Sequence, residues 1–146
     1  MTTIMQETQK NKWEIFNNRF ADAYFLADKK TIVCKATTNY IPEKEFKELF
    51  GAIGEFIKTH RVEKLIFDKS KLTVFHQPSM VWYHIVWKAE MAIYGLLTYR
   101  KILPNDSFFR QSVKIGREKI KKEHPDFNFD KFDIQYCDSL EEALEK

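Results

Sequence analysis

The sequence predicts an α/β fold: a single mixed sheet, an initial antiparallel hairpin region followed by βα units, and helices packed on the sheet. Two observations carry this expectation. The first quarter of the chain alternates short β-branched and aromatic runs with turn residues, the pattern of successive antiparallel strands. Beyond Pro42 the hydrophobic period lengthens, and three times a helical stripe is followed by a short run of strand length. Right-handed crossovers would join those later strands in parallel.

Taken in order, "KWEIF" (Lys12 to Phe16) runs into Asn17-Asn18, a pair that accepts tight-turn backbone angles. "FADAYFLA" (Phe20 to Ala27) leads through Asp28-Lys29-Lys30 into "TIVCKAT" (Thr31 to Thr37). Phe46, Leu49, Phe50, Ile53, Phe56 and Ile57 then recur at helical spacing. Pro42 suits the first turn of that helix, and Glu43 and Glu45 suit its positive dipole end. "VEKLIFD" (Val62 to Asp68) reads as a strand, Pro78 to Tyr94 as a helix stopped by Gly95, and "LLTYRKIL" (Leu96 to Leu103) as a strand ended by Pro104. Asn105, Asp106 or Ser107 can cap a third helix lined by Phe109, Val113, Gly116 and Ile120. "FDIQYC" (Phe132 to Cys137) is the last strand, and Ser139 with Glu142 forms a capping box for a short final helix.

The 146 residues suit one domain with a good core, which the reading places at residues 12–146. The polar start, "MTTIMQETQKNK", reads as a flexible arm over residues 1–11 and lacks the apolar stretch of a secretion signal. No apolar run approaches the ~18–20 residues of a membrane span. A net charge of +3 is too weak to imply nucleic acid, and the basic run Lys114 to His124 reads as a solvated helix face. Cys34 and Cys137, far apart, read as reduced thiols of a cytoplasmic protein.

The helix "PSMVWYHIVWKAEMAIY" poses the main question, because it is apolar on two sides. Projected at ~100° per residue, Val81, Ile85, Ala89 and Ala92, with Trp82, Val86 and Ile93, form one side, expected to face the core. Met80, Tyr83, Trp87, Met91 and Tyr94 form the opposite, outward side, with His84 at its margin. Burying one such large side chain is worth roughly 1.5–3 kcal/mol, so the outward face should be covered. Loops or the N-terminal arm could cover it, or a protein partner, a second copy of the chain or an apolar ligand.

Catalytic machinery is not expected. His60, His76, His84 and His124 have no metal-ligand spacing and read as surface or helix-end residues, and Cys34 reads as a small buried hydrophobe in mid-strand. Neither a dinucleotide fingerprint nor a P-loop occurs, so no cofactor and no metal is expected.

The order of elements, with "KLIFDKSKLTVFHQPSM", resembles the STAS domain (sulfate transporter and anti-sigma factor antagonist) and its SpoIIAA-like relatives. The stretch "VWYHIVWKAEMAIYGLLTYRKILPNDSFF" is most similar to STAS-like proteins of unassigned role from Bacteroidetes. The resemblance covers about residues 12 to 146 and implies a regulatory switch at the helix start, near His76 to Ser79. Pro78 stands where antagonist proteins carry a phosphorylated Ser, leaving Ser79 as the candidate for modification. Together these readings give a non-enzymatic regulatory or scaffolding domain. It would act through protein contacts, possibly as a homodimer, on Met80, Tyr83, Trp87, Met91 and Tyr94. Binding of a small apolar ligand such as a lipid chain is the alternative.

Overall fold

Six strands, β1 (Lys12–Asn17), β2 (Ala21–Leu26), β3 (Thr31–Ala36), β4 (Lys64–Asp68), β5 (Thr98–Ile102) and β6 (Asp133–Cys137), lie side by side in chain order. This is the arrangement in the computed structural model, which describes residues 11–146. The β1–β2 and β2–β3 pairings are antiparallel, and the other three are parallel. The mixed sheet is the one expected. Asn11, the last residue the sequence assigns to the arm, accepts a hydrogen bond from Ala27 N–H at 2.8 Å, and the rest of that arm lies outside the described residues.

The crossovers are α1 (Glu43–Thr59), α2 (residues 77–93) and α3 (Ser107–Glu123). All three contribute to one hydrophobic core with Ile32, Leu65, Phe67 and Tyr99 of the sheet. A short α4 (Leu140–Glu145) covers part of the opposite face, packing Ala143 with Val33, Ile66, Ile102 and Cys137. Local chemistry sets the boundaries. Asp106 accepts from Phe108 N–H (2.9 Å) at the start of α3, and Ser139 accepts from Glu142 N–H (3.1 Å) at the start of α4. The Glu142 carboxylate takes the N–H of Asp138 rather than that of Ser139, so the capping box closes one residue early.

Alternation along the strands places Tyr99 and Lys101 beneath the helices, and Arg100 and Ile102 on the α4 side. Register then aligns Cys34, Phe67, Lys101 and Tyr136 in one row across β3 to β6.

The helix α2 overturns one expectation. It runs as α-helix over Gln77–Trp82, widens to a π-turn over Tyr83–Trp87, and returns to α-helix over Lys88–Ile93. Met80, Tyr83, Trp87 and Met91, expected to point outward, are buried in the core. Val86 and Ile93, expected inside, are 49% and 81% exposed. Of the proposed outward set, Tyr94 alone is exposed.

The reason is the shape of α1. Phe50 packs against Tyr83 (ring centroids 4.7 Å apart) and Trp87 (5.0 Å), and the Trp87 indole N–H donates to the Phe50 carbonyl at 2.7 Å. A side chain at Gly54 would begin 3.3 Å from that indole nitrogen, so the glycine forms the notch the ring fills. Aromatic rings carry more buried area and directional contacts than the Val/Ile stripe, and they take the inside.

Candidate functional site

Burying the aromatic stripe of α2 also buries what shares its helical register. His84 and Lys88 lie on the same face as Met80, Tyr83, Trp87 and Met91, so both are carried inside. The sheet supplies two more cations. Lys69 follows Leu65 and Phe67 at strand spacing, and its N–H donates to the Ile102 carbonyl at 2.7 Å, extending the pairing of β4 and β5. Lys101 lies between Phe67 and Tyr136 in the cross-strand row. From above, α3 contributes Arg117. Its neighbour Gly116 lets the helix approach Gln77, whose amide donates to the Gly116 carbonyl at 3.2 Å, and a Cβ at Gly116 would fall 2.5 Å from the Gln77 oxygen.

Lys69, Lys88 and Lys101 are all but inaccessible, at 2%, 0% and 3% exposure. Their amines rest on rings rather than carboxylates. Lys88 Nζ lies 4.7 Å from the Tyr83 ring and 4.4 Å from the Tyr99 ring, and Lys69 Nζ lies 4.8 Å from the Phe67 ring and 3.6 Å from Met80 Sδ. Arg117 stacks on Phe129 at 4.8 Å and reaches the Tyr136 hydroxyl at 3.4 Å. Among the described residues no ion pair involves any of these four cations. The Tyr83 and Tyr99 hydroxyls, His84 Nδ1 and Arg117 Nε, all buried, also lack hydrogen-bond partners there.

Burial and mutual repulsion act on the protonation of this cluster. Burial pushes Lys69 down to about 8, against a weak opposing pull from Cys34. It holds Lys88 and Lys101 well below the ordinary lysine range, with the neighbouring cations adding to the effect. His84 is held well below the usual histidine range, by burial first and then by Lys88 and Lys101. Among the described residues Lys88 Nζ, like the two tyrosine hydroxyls, has no hydrogen-bond partner.

The cluster borders a small cavity of about 20 Å³, whose lining includes Lys69, Met80, His84, Lys101, Arg117 and Tyr136. Val113, Arg117 and Tyr136 also border a larger open groove of about 430 Å³. That groove carries Arg110, Lys114 and Lys121, an apolar wall that includes Leu103, and the carboxylates of Glu118 and Asp138. Cavity and groove sit toward the carboxyl ends of the parallel strands, the end where open α/β sheets characteristically bind ligands. The groove can attract a negative group through Arg110, Lys114, Arg117 and Lys121, and the cavity beneath it has room for about one water.

Of the residues singled out in the sequence, Met80 lines the cavity, Tyr83 faces Lys88, and Trp87 and Met91 pack near Gly54 of α1. Ser79 is buried, with its hydroxyl 3.0 Å from His76 Nδ1. His84 is a buried residue, contrary to the surface or helix-end position expected. Sequence reasoning passed over Lys69, Lys88, Lys101 and Arg117. The available signal was charge at inward positions: Lys101 alternates with Tyr99, Lys69 with Phe67, and Lys88 lies four residues after His84. On the basic helix, Lys114, Lys119, Lys121 and Lys122 are solvated as expected, while Arg117 is partly buried.

The exposed Val74, Phe108 and Ile115 border a separate groove of about 350 Å³, which offers an apolar chain more room than the packed stripe of α2. Among the described residues, no group of three or more His, Cys, Asp or Glu could hold a metal ion, and no helix is long and apolar enough to cross a membrane. Compared with protein-family models, with curated proteins and with solved structures, the chain returns no match.

Proposed function

We propose that this protein is a binding module for a small organic anion, held between β4 to β6, α2 and α3. The convergence of Lys69, Lys88, Lys101 and Arg117, none of them in an ion pair among the described residues, carries this reading. Unpaired buried cations destabilise a fold, and apolar residues of similar volume would pack there at lower cost. Such a cluster makes sense where an anion completes it, because charge-assisted hydrogen bonds strengthen in a site of low dielectric. The groove falls within the ~300–1,000 Å³ typical of small-molecule sites, and its wall of Leu103, Val113 and Tyr136 suits a carbon body.

The test is calorimetric titration and thermal denaturation of the purified protein with phenyl phosphate, benzoate and neutral phenol at low salt. The anions should bind and raise the melting temperature, and phenol should not. Lys69→Met and Lys101→Met should each weaken binding about tenfold or more, the worth of one charge-assisted bond. Equal stabilisation by phenol, or unchanged anion affinity in both variants, would refute the reading.

A second reading rests on the outer side of α2, where Val86, Ile93 and Tyr94, with Leu97 beyond, are exposed. A regulatory or scaffolding domain acting through protein contacts or self-association, as the STAS-like resemblance implies, would use such an apolar surface. Sedimentation velocity over a wide concentration range tests self-association. A strict monomer throughout would count against the homodimer.

A further inference from the structure

We infer that the open edge of β6 takes an extended acidic peptide as a seventh strand, its alternate carboxylates lying against the basic stripe of α3. This rests on the anion-binding reading, which supplies the groove's pull on carboxylates, and names the partner that carries them. Register fixes the direction of the backbone groups. Asp133 N–H donates to the Leu97 carbonyl at 2.8 Å, so Asp133, Gln135 and Cys137 turn their backbone groups toward β5. Ile134 and Tyr136 therefore turn theirs outward, and among the described residues no strand pairs with that side. The edge also lacks the usual defences against strand addition: β6 contains neither Lys nor Pro, and its register with β5 has no bulge. The N–H and carbonyl groups of Ile134 and Tyr136 are thus free to form a new ladder with an extended chain.

Beside this edge runs the open groove of about 430 Å³, and its other wall is α3. Arg110, Lys114, Arg117 and Lys121 line it at intervals of four, three and four residues, which is one face of the helix. At the helical rise this stripe is about 16 Å long, with a cation roughly every 5.5 Å. Alternate residues of a strand stand about 6.6–6.8 Å apart on one face, so the carboxylates of an added strand would meet successive cations. Tyr136 already bridges the two walls, its hydroxyl 3.4 Å from Arg117. Two carboxylates compete inside the groove, Asp138 at 4.0 Å from Arg110 and Glu118 at 3.7 Å from Lys121. Both are exposed, and such pairs are weak. Among the described residues Lys114 and Arg117 have no ion pair. A second copy of the chain fits the edge poorly, because pairing β6 with β6 about a two-fold axis would set the two basic stripes against each other.

The experiment is calorimetric titration of the full chain at low salt with acetyl-Thr-Glu-Val-Glu-Val-Glu-Thr-amide, joined by amide hydrogen exchange read by NMR. The isomer acetyl-Thr-Val-Glu-Glu-Glu-Val-Thr-amide turns at least one carboxylate away from the stripe and should bind about threefold or more weakly. The alternating peptide should slow exchange about tenfold or more at Ile134 and Tyr136, whose N–H groups gain partners. Methylating one alternate set of peptide nitrogens should abolish binding and methylating the other should leave it within about threefold, because one set alone faces β6. Lys114→Glu, at an exposed helix position, should weaken binding about fivefold or more by replacing an attraction with a repulsion. Unchanged exchange at Ile134 and Tyr136, equal affinity of the two methylated peptides, or equally tight binding of an oligothymidylate of the same charge overturns the inference. If benzoate or phenyl phosphate still binds in that event, the anion-binding reading stands and the strand addition alone falls. If they do not bind either, both fall.

Discussion

Replacing Lys69 with methionine is expected to stabilise the protein near neutral pH while weakening its hold on anions. The Lys69 side chain is enclosed, with Nζ against Met80 Sδ and the Phe67 ring and no carboxylate partner among the described residues. Burial lowers its pKa from the ordinary 10.5 to about 8. At ~1.36 kcal/mol per tenfold change in proton affinity, that is about 3 kcal/mol of destabilisation at pH 7. The sign follows from linkage. Between about pH 8 and about pH 10.5 the unfolded chain binds more protons than the folded one, so stability rises with pH through that window, and below it the cost is fully present. Methionine matches the length of the stem without the charge and relieves the repulsion felt by Lys88 and Lys101. Urea denaturation followed by circular dichroism at about pH 7 and about pH 10 measures the difference. The variant should lead by about 2–3 kcal/mol at the lower pH, with the lead shrinking at the higher. A variant less stable than wild type, or a lead independent of pH, would refute the claim that this lysine is held at a cost.

Gly95→Ala should cost about 1 kcal/mol in the same assay, because Gly95 turns α2 into β5 at φ 94°, which a side chain opposes. Trp87→Phe should cost about 1–3 kcal/mol through the lost bond to the Phe50 carbonyl and lost ring area; fluorescence-detected unfolding measures it. Ile93→Lys should change stability by no more than about 0.5 kcal/mol, because the side chain is exposed, while dissociating any dimer built on that face; sedimentation reports both species. Cys34 should resist a thiol-specific chromogenic reagent until the protein unfolds, since burial removes access and raises its pKa.

The succession of elements can be read along the chain, because periods of 2.0 and 3.6 residues are local properties that neighbours impose. The strands at Thr31, Lys64 and Asp133, the α1 stripe from Phe46 to Ile57 and the Asp106 cap are legible in that way. Periodicity sorts α2 into two apolar faces but cannot rank them, since the choice depends on what stands opposite. Contact with α1 makes that choice, through the notch at Gly54 and the ring of Phe50 on a helix some thirty residues away. That choice then drew His84 and Lys88 inward, where Lys69 and Lys101 of the sheet already pointed. The neighbouring positions on β5 show the same logic. Arg100 reaches out at the α4 side to Asp133 and the Lys146 carbonyl, while Lys101, one residue on, lies under two helices with no acid paired to it among the described residues. Charge in a sequence marks where a cost can arise; only packing decides whether water, a carboxylate or a bound anion offsets it.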